Sequence, residues 1–121
     1  MKQILLVFLG GGLGSVTRYL ISKSLNPYLS NFFLGTFTVN IIGCFLIGLI
    51  LGLSAKENLI SSNTTLLLAT GFCGGFTTFS TFAFEKHSLL KAGDLTNFAI
   101  YLALSVMVGI AAVAAGLYFS K

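Results

Sequence analysis

Four stretches of this chain, about Ile4 to Ser22, Phe32 to Leu53, Thr64 to Phe84 and Leu95 to Phe119, run on with almost no charge. Crossing a hydrocarbon core of about 30 Å as a helix takes roughly 20 mostly apolar residues, and only a helix or a closed barrel pairs its own backbone there. Each stretch meets that length. Of the 121 residues 55% are hydrophobic and only 8% charged, too few charges to coat a soluble surface. Residues 1–121 therefore read as a single all-α domain of four transmembrane helices. The connectors fall at Asn26-Pro27, at Ser54 to Asn63 and at Glu85 to Asp94, where turn formers and charges gather.

The first apolar stretch follows Lys2, as in a signal peptide, but Arg18 and Lys23 interrupt its end and no small-residue cleavage pattern follows. It is expected to stay as a permanent helix. The net charge of +4 comes from residues scattered at the span ends, which suits anionic lipid headgroups and gives no basic cluster for nucleic acid. With four spans, Lys2, Lys56 and Lys121 share one side, and Arg18, Lys23, Lys86 and Lys91 share the other. Orientation follows an excess of Lys and Arg in short cytoplasmic loops, so this near balance leaves two readings. Either one orientation is weakly favoured, or the chain inserts both ways and pairs with its own inverted copy.

Small residues recur at helical spacing in Gly10/Gly14, Gly48/Gly52, Gly71/Gly75 and, more loosely, Ala112/Gly116. Such spacing predicts close backbone approach between membrane helices. The run GGGLGS brushes against a dinucleotide fingerprint but follows no strand and is followed by no acidic residue at the required distance. Cys44 and Cys73 lie mid-span and read as small apolar packing residues.

Glu57, Glu85 and Asp94 are expected at or beyond span ends, and His87 in the third connector. No carboxylate is then expected inside a span, which argues against a proton-coupled exporter. No nucleophile, base and acid can be placed together, so an enzyme is not expected. The in-span polar groups are neutral: Asn40, the hydroxyls of Thr77 to Thr81, Tyr101 and Ser105, with Arg18 near the end of the first span. Taken singly, Asn40 reads as an interhelical hydrogen-bonding group, Arg18 as a snorkelling cation and Tyr101 as an interfacial anchor. Taken together they read as the lining of a passage for a small anion.

The stretch GFCGGFTTFSTFAF carries the strongest local signal. On an unbroken helix Phe72, Phe76, Phe79 and Phe82 share one face, and that stripe fits either a packing face or a row of positive ring edges along a passage. Gly71, Gly74 and Gly75, followed by Thr77 and Thr78, make a poor helix interior. A break is expected near the middle of the third helix, and its freed carbonyls need partners at membrane depth; a bound monovalent cation is one such partner.

The segments GGGLGSVTRY (10–19), GTFTVNIIGCFLIG (35–48) and GFCGGFTTFSTF (71–82) resemble, in order, the signature blocks of the fluoride channel family called Fluc or CrcB. The resemblance implies an antiparallel, dual-topology homodimer in the bacterial inner membrane that exports fluoride passively through two pores. It assigns Phe79 and Phe82 as pore phenylalanines and Asn40 as the pore amide, with Ser80 and Thr81 in the same motif. Tyr101 and Ser105 fall on a polar path along the pore wall, and Arg18 near a pore mouth. The carbonyls of Gly74 and Thr77 are implied to hold a central sodium ion. Two other classes remain open: a small multidrug-type dual-topology exporter and a helper that packs larger membrane complexes.

Overall fold

The computed structural model describes residues 1–26, 33–56 and 59–121, and Pro27 and Glu57 of the first two connectors lie outside them. Helix α1 spans Lys2–Leu25 and α2 Leu34–Ser54. The third segment is composite: α3 (Ser62–Thr65), a π-helical stretch (Leu66–Cys73), α4 (Gly74–Phe76) and α5 (Ser80–Lys91). Helix α6 closes the order at Leu95–Phe119, the bounds expected for the fourth span. Four units, α1, α2, residues 62–91 and α6, are long and apolar enough to cross a membrane.

Local chemistry marks the ends. The Ser61 hydroxyl accepts from the Thr64 N–H at 3.1 Å to start α3, and Asp94 accepts from the Asn97 N–H at 3.3 Å to start α6, the usual use of short polar side chains for orphan helix donors. Helix α5 stops where Gly93 takes a positive φ of 78°, a conformation that costs glycine little. The third helical unit runs on past Phe84. Helix α5 runs through Glu85, Lys86 and His87 to Lys91, and only residues 92–94 connect it to α6. Glu85 and Lys86 are buried, so these charges lie on an inward helix face and not in a connector.

The small-residue spacing has its counterpart in the packing. Helix α1 packs on the π-helical stretch and α4, and α2 packs on α6. A Cβ built on Gly10 would collide with the Leu67 carbonyl oxygen, one on Gly14 with that of Phe72, and one on Gly75 with that of Gly11. Between α2 and α6, Gly48 meets the Val113 carbonyl and Gly116 that of Phe45 in the same way. Lipid tails are as apolar as leucine, so association between such helices depends on close van der Waals packing. On their other sides the helices are open: only 11% of the most apolar part of α1, and the same of α6, is buried within the chain.

Replacing Gly14 by Val should break the contact between α1 and the third segment, because the new side chain meets backbone that has nowhere to move; overpacking of this kind costs at least about 1–3 kcal/mol. Gly12 has nothing within 4 Å of a built Cβ, and Gly12→Ala should be silent. Size-exclusion profiles and thermal unfolding of both purified variants check the contrast.

Candidate functional site

The site begins where the third segment loses its helix. Thr77 turns into an extended conformation (φ −88°, ψ 159°) before α5 begins at Ser80. A break at this depth opens backbone groups that lipid cannot satisfy, and neighbouring side chains take several of them. Asn40 on α2 accepts from the Thr78 N–H at 2.8 Å and donates through Nδ2 to the Thr78 carbonyl at 3.2 Å. Arg18 Nε donates to the Gly75 carbonyl at 3.0 Å, and Ser15 Oγ reaches the same oxygen at 3.4 Å. The Thr77 hydroxyl donates to the Cys73 carbonyl at 2.9 Å, and the Thr78 hydroxyl accepts from the Thr81 N–H at 3.2 Å. Gly43 on α2 leaves the space for this turn, since a Cβ there would strike the Thr77 methyl.

Asn40 is thus an interhelical hydrogen-bonding residue, and it clamps the break itself. One amide N–H is left over for another acceptor, because a primary amide carries two. Arg18 does not snorkel away; its guanidinium is half-buried and holds the first segment to the break. The carbonyls of Gly74 and Thr77 receive no hydrogen bond among the described residues, and Gly74 is exposed. Two unpaired oxygens beside a helix break fit a hard monovalent cation, provided that further ligands come from elsewhere.

An open groove of about 420 Å³ lies against this break. Asn40, Gly74, Thr77, Phe79, Phe82 and Ser105 are among its lining residues, and no charged side chain is. The Ser105 hydroxyl is buried with no hydrogen-bond partner among the described residues. Phe79 is 79% exposed and Phe82 only 9%, with ring centres 6.1 Å apart and planes at 39°. The phenylalanine stripe is therefore divided by the break. Phe72 and Phe76 stack at 5.4 Å as a packing pair, whereas Phe79 and Phe82 line the groove.

Ser80, Thr81, Tyr101 and Arg18 stand outside the groove lining. Ser80 is exposed, with its hydroxyl 3.4 Å from that of Thr78, and Thr81 is half-buried at the start of α5. Tyr101 is completely buried, which corrects its reading as an interfacial anchor. Its hydroxyl donates to Glu85 Oε1 at 2.8 Å, and Thr36 donates to Glu85 Oε2 at 2.6 Å. The ring packs edge-on against Phe82, with centres 5.4 Å apart, and is stacked on Phe33 at 6.2 Å. Phe33 itself sits at the left-handed φ of 56° that starts α2.

Glu85 is thus a buried carboxylate within the third apolar helical unit, 4% exposed, and not a residue of a connector. Lys86, 6% exposed, lies 3.0 Å from the centre of the Tyr101 ring. A signal for both was present in the spacing. Phe82, Glu85, Lys86 and Leu89 are the buried residues of α5, and their i, i+3, i+4, i+7 positions mark one inward face.

Against known proteins, residues 5–117 match the family model described as CrcB-like protein, Camphor Resistance (CrcB). The chain is 50% identical over 124 residues to a protein of Chlorobium phaeobacteroides named fluoride-specific ion channel FluC, covering 100% of this chain and 96% of that one. Relatives of the same name in Gloeothece citriformis and Bacteroides fragilis are 51% and 49% identical, each over 100% of this chain and 98% of theirs. This chain belongs to the CrcB-like family.

Proposed function

We propose that the chain forms a fluoride-selective channel through which the anion leaves the cell passively, lowering cytoplasmic fluoride and its toxicity. The observation that carries this reading is the uncharged groove at the helix break, with the unpaired Ser105 hydroxyl, the spare Asn40 N–H and the Phe79 and Phe82 rings around it. Fluoride is small and firmly hydrated, so its site must replace water with compact donors. Amide, hydroxyl and ring edge do this with moderate strength, and conduction requires binding weak enough to release the ion. The names of the full-length relatives agree with the reading.

The channel is proposed to be an antiparallel pair of copies inserted in opposite senses in a bacterial inner membrane. The near-balanced charge of the two sides and the open apolar faces of α1 and α6 support this. In such a pair the Gly74 and Thr77 carbonyls, together with those of the second copy, would hold a sodium ion. When bound, that ion supplies fixed positive potential without a titratable group. Phe79 and Phe82 turn ring edges to the fluoride, Asn40 and Ser105 donate hydrogen bonds to it, and Arg18 keeps the break in shape.

Glu85 gives the exporter reading a buried acid of the kind that it requires, and one assay separates the two. Liposomes holding this chain alone should release fluoride and retain chloride; proton-coupled drug efflux without fluoride flux would select the exporter instead. A helper protein would give neither. In the same assay Phe82→Ile should cut fluoride flux by orders of magnitude with assembly retained, since the ring edge has no aliphatic equivalent. Parental flux from Phe82→Ile would remove the ring from the mechanism.

Asn40→Asp should also fail, for two reasons that act together. The carboxylate loses the donor to the Thr78 carbonyl, and it places a negative charge in the groove wall. Fluoride efflux at neutral pH is the measurement, and undiminished flux would sink the amide's role. For the pair, a single engineered connector cysteine should react with an impermeant reagent in only part of the molecules in intact cells and in the rest once the membrane is opened; labelling of all molecules, or of none, in intact cells contradicts opposite insertion.

A further inference from the structure

Lys86 is a buried cation that the groove lining does not include. Its Nζ finds no hydrogen-bond acceptor among the described residues. It lies 3.0 Å from the centre of the Tyr101 ring and 5.1 Å from that of Phe82. Ring faces attract an ammonium group but leave its three N–H donors without a strong acceptor, and a buried charge in that state is costly. Something anionic is the natural complement. The Phe82 ring connects the two places, for it both lines the groove and packs beside the ammonium.

We infer that Lys86 is an anion-attracting residue of the permeation path, the station that a fluoride ion reaches once it has passed the Phe82 ring. The inference rests on the fluoride-channel reading above. A cation near the Phe82 ring draws electron density toward itself and leaves the groove-side edge more positive, which strengthens the contact that the anion makes first. Beyond the ring, the free N–H donors replace water that fluoride has shed.

A lone lysine would hold the ion too firmly for rapid release, and here Glu85 provides the counterweight. Its carboxylate is fixed by the Tyr101 and Thr36 hydroxyls, so the ammonium over the same tyrosine ring has an opposite charge close by. The ion therefore meets strong local donors without an unbalanced positive trap. Tyr101 keeps the charges apart, with its hydroxyl on the carboxylate and its ring under the ammonium.

The test compares the parent with Lys86→Met, Lys86→Gln and Lys86→Arg in fluoride-loaded liposomes, alongside thermal unfolding of each protein in detergent. Both neutral variants should lose about tenfold or more of the flux and need more fluoride for half-saturation, while Lys86→Arg retains most of it. Removing one of two neighbouring buried charges leaves the other uncompensated, so Lys86→Met should lower the unfolding temperature; flux is therefore compared at a temperature where every variant is folded. Parental flux in a folded neutral variant overturns the inference, as does equal loss in Lys86→Arg and Lys86→Met. Absence of fluoride flux from the parent overturns the channel reading as well, so the two failures are told apart.

Discussion

The rest of the structure depends on how a helix can be opened inside a membrane. Hydrocarbon offers no hydrogen bonds, and each unpaired backbone group there costs several kcal/mol. The third segment nonetheless leaves its helix at Thr77. Two flanking helices make this tolerable: α2 brings the Asn40 amide to both polar atoms of Thr78, and α1 brings Arg18 and Ser15 to the Gly75 carbonyl. Those contacts need backbones that nearly touch. The glycines at 10, 14 and 75 permit them, so the small-residue packing and the break form one arrangement.

Polar groups fall into two sets with the Phe82 ring between them. On the groove side they are neutral. On the other side Glu85, Tyr101, Thr36 and Lys86 form a buried charged cluster in which the carboxylate is already hydrogen-bonded twice. Removing one member of such a cluster strands the others, a heavier loss than the net contribution of the pair. Phe82 touches both sets, packing edge-on against Tyr101 while lining the groove. Its position makes it the place where the chemistry of the two sets is coupled.

Much of this was legible in the sequence. Four spans followed from apolar length, and the break followed from glycines and threonines where a helix wanted neither. Asn40, Phe79, Phe82 and Ser105 come together in one groove because the motif spacing carries through the break. The buried charges were misplaced for a physical reason: Glu85 and Lys86 stand near the end of an apolar run, where charge ordinarily marks the headgroup region. Only their spacing with Phe82 and Leu89 reveals an inward face. The π-helical stretch from Leu66 to Cys73 had no such signal, since its register is set by backbone contact with α1 and not by side-chain period.

A single copy leaves the groove in an awkward state. Phe79 is 79% exposed, and Gly74, whose carbonyl has no hydrogen-bond partner among the described residues, is exposed beside it. Acyl chains could cover the ring, yet they give nothing to the carbonyl or to the hydroxyls near it. Water could satisfy these groups, but it would also screen the weak donors that discriminate among anions. A second copy against this face in the proposed pair would answer both demands, its own break bringing polar groups to polar groups while its aromatic and aliphatic surface excludes water. In the proposed pair, selectivity is then a property of the joined surfaces, and the open face of one chain is the unfinished half of its site.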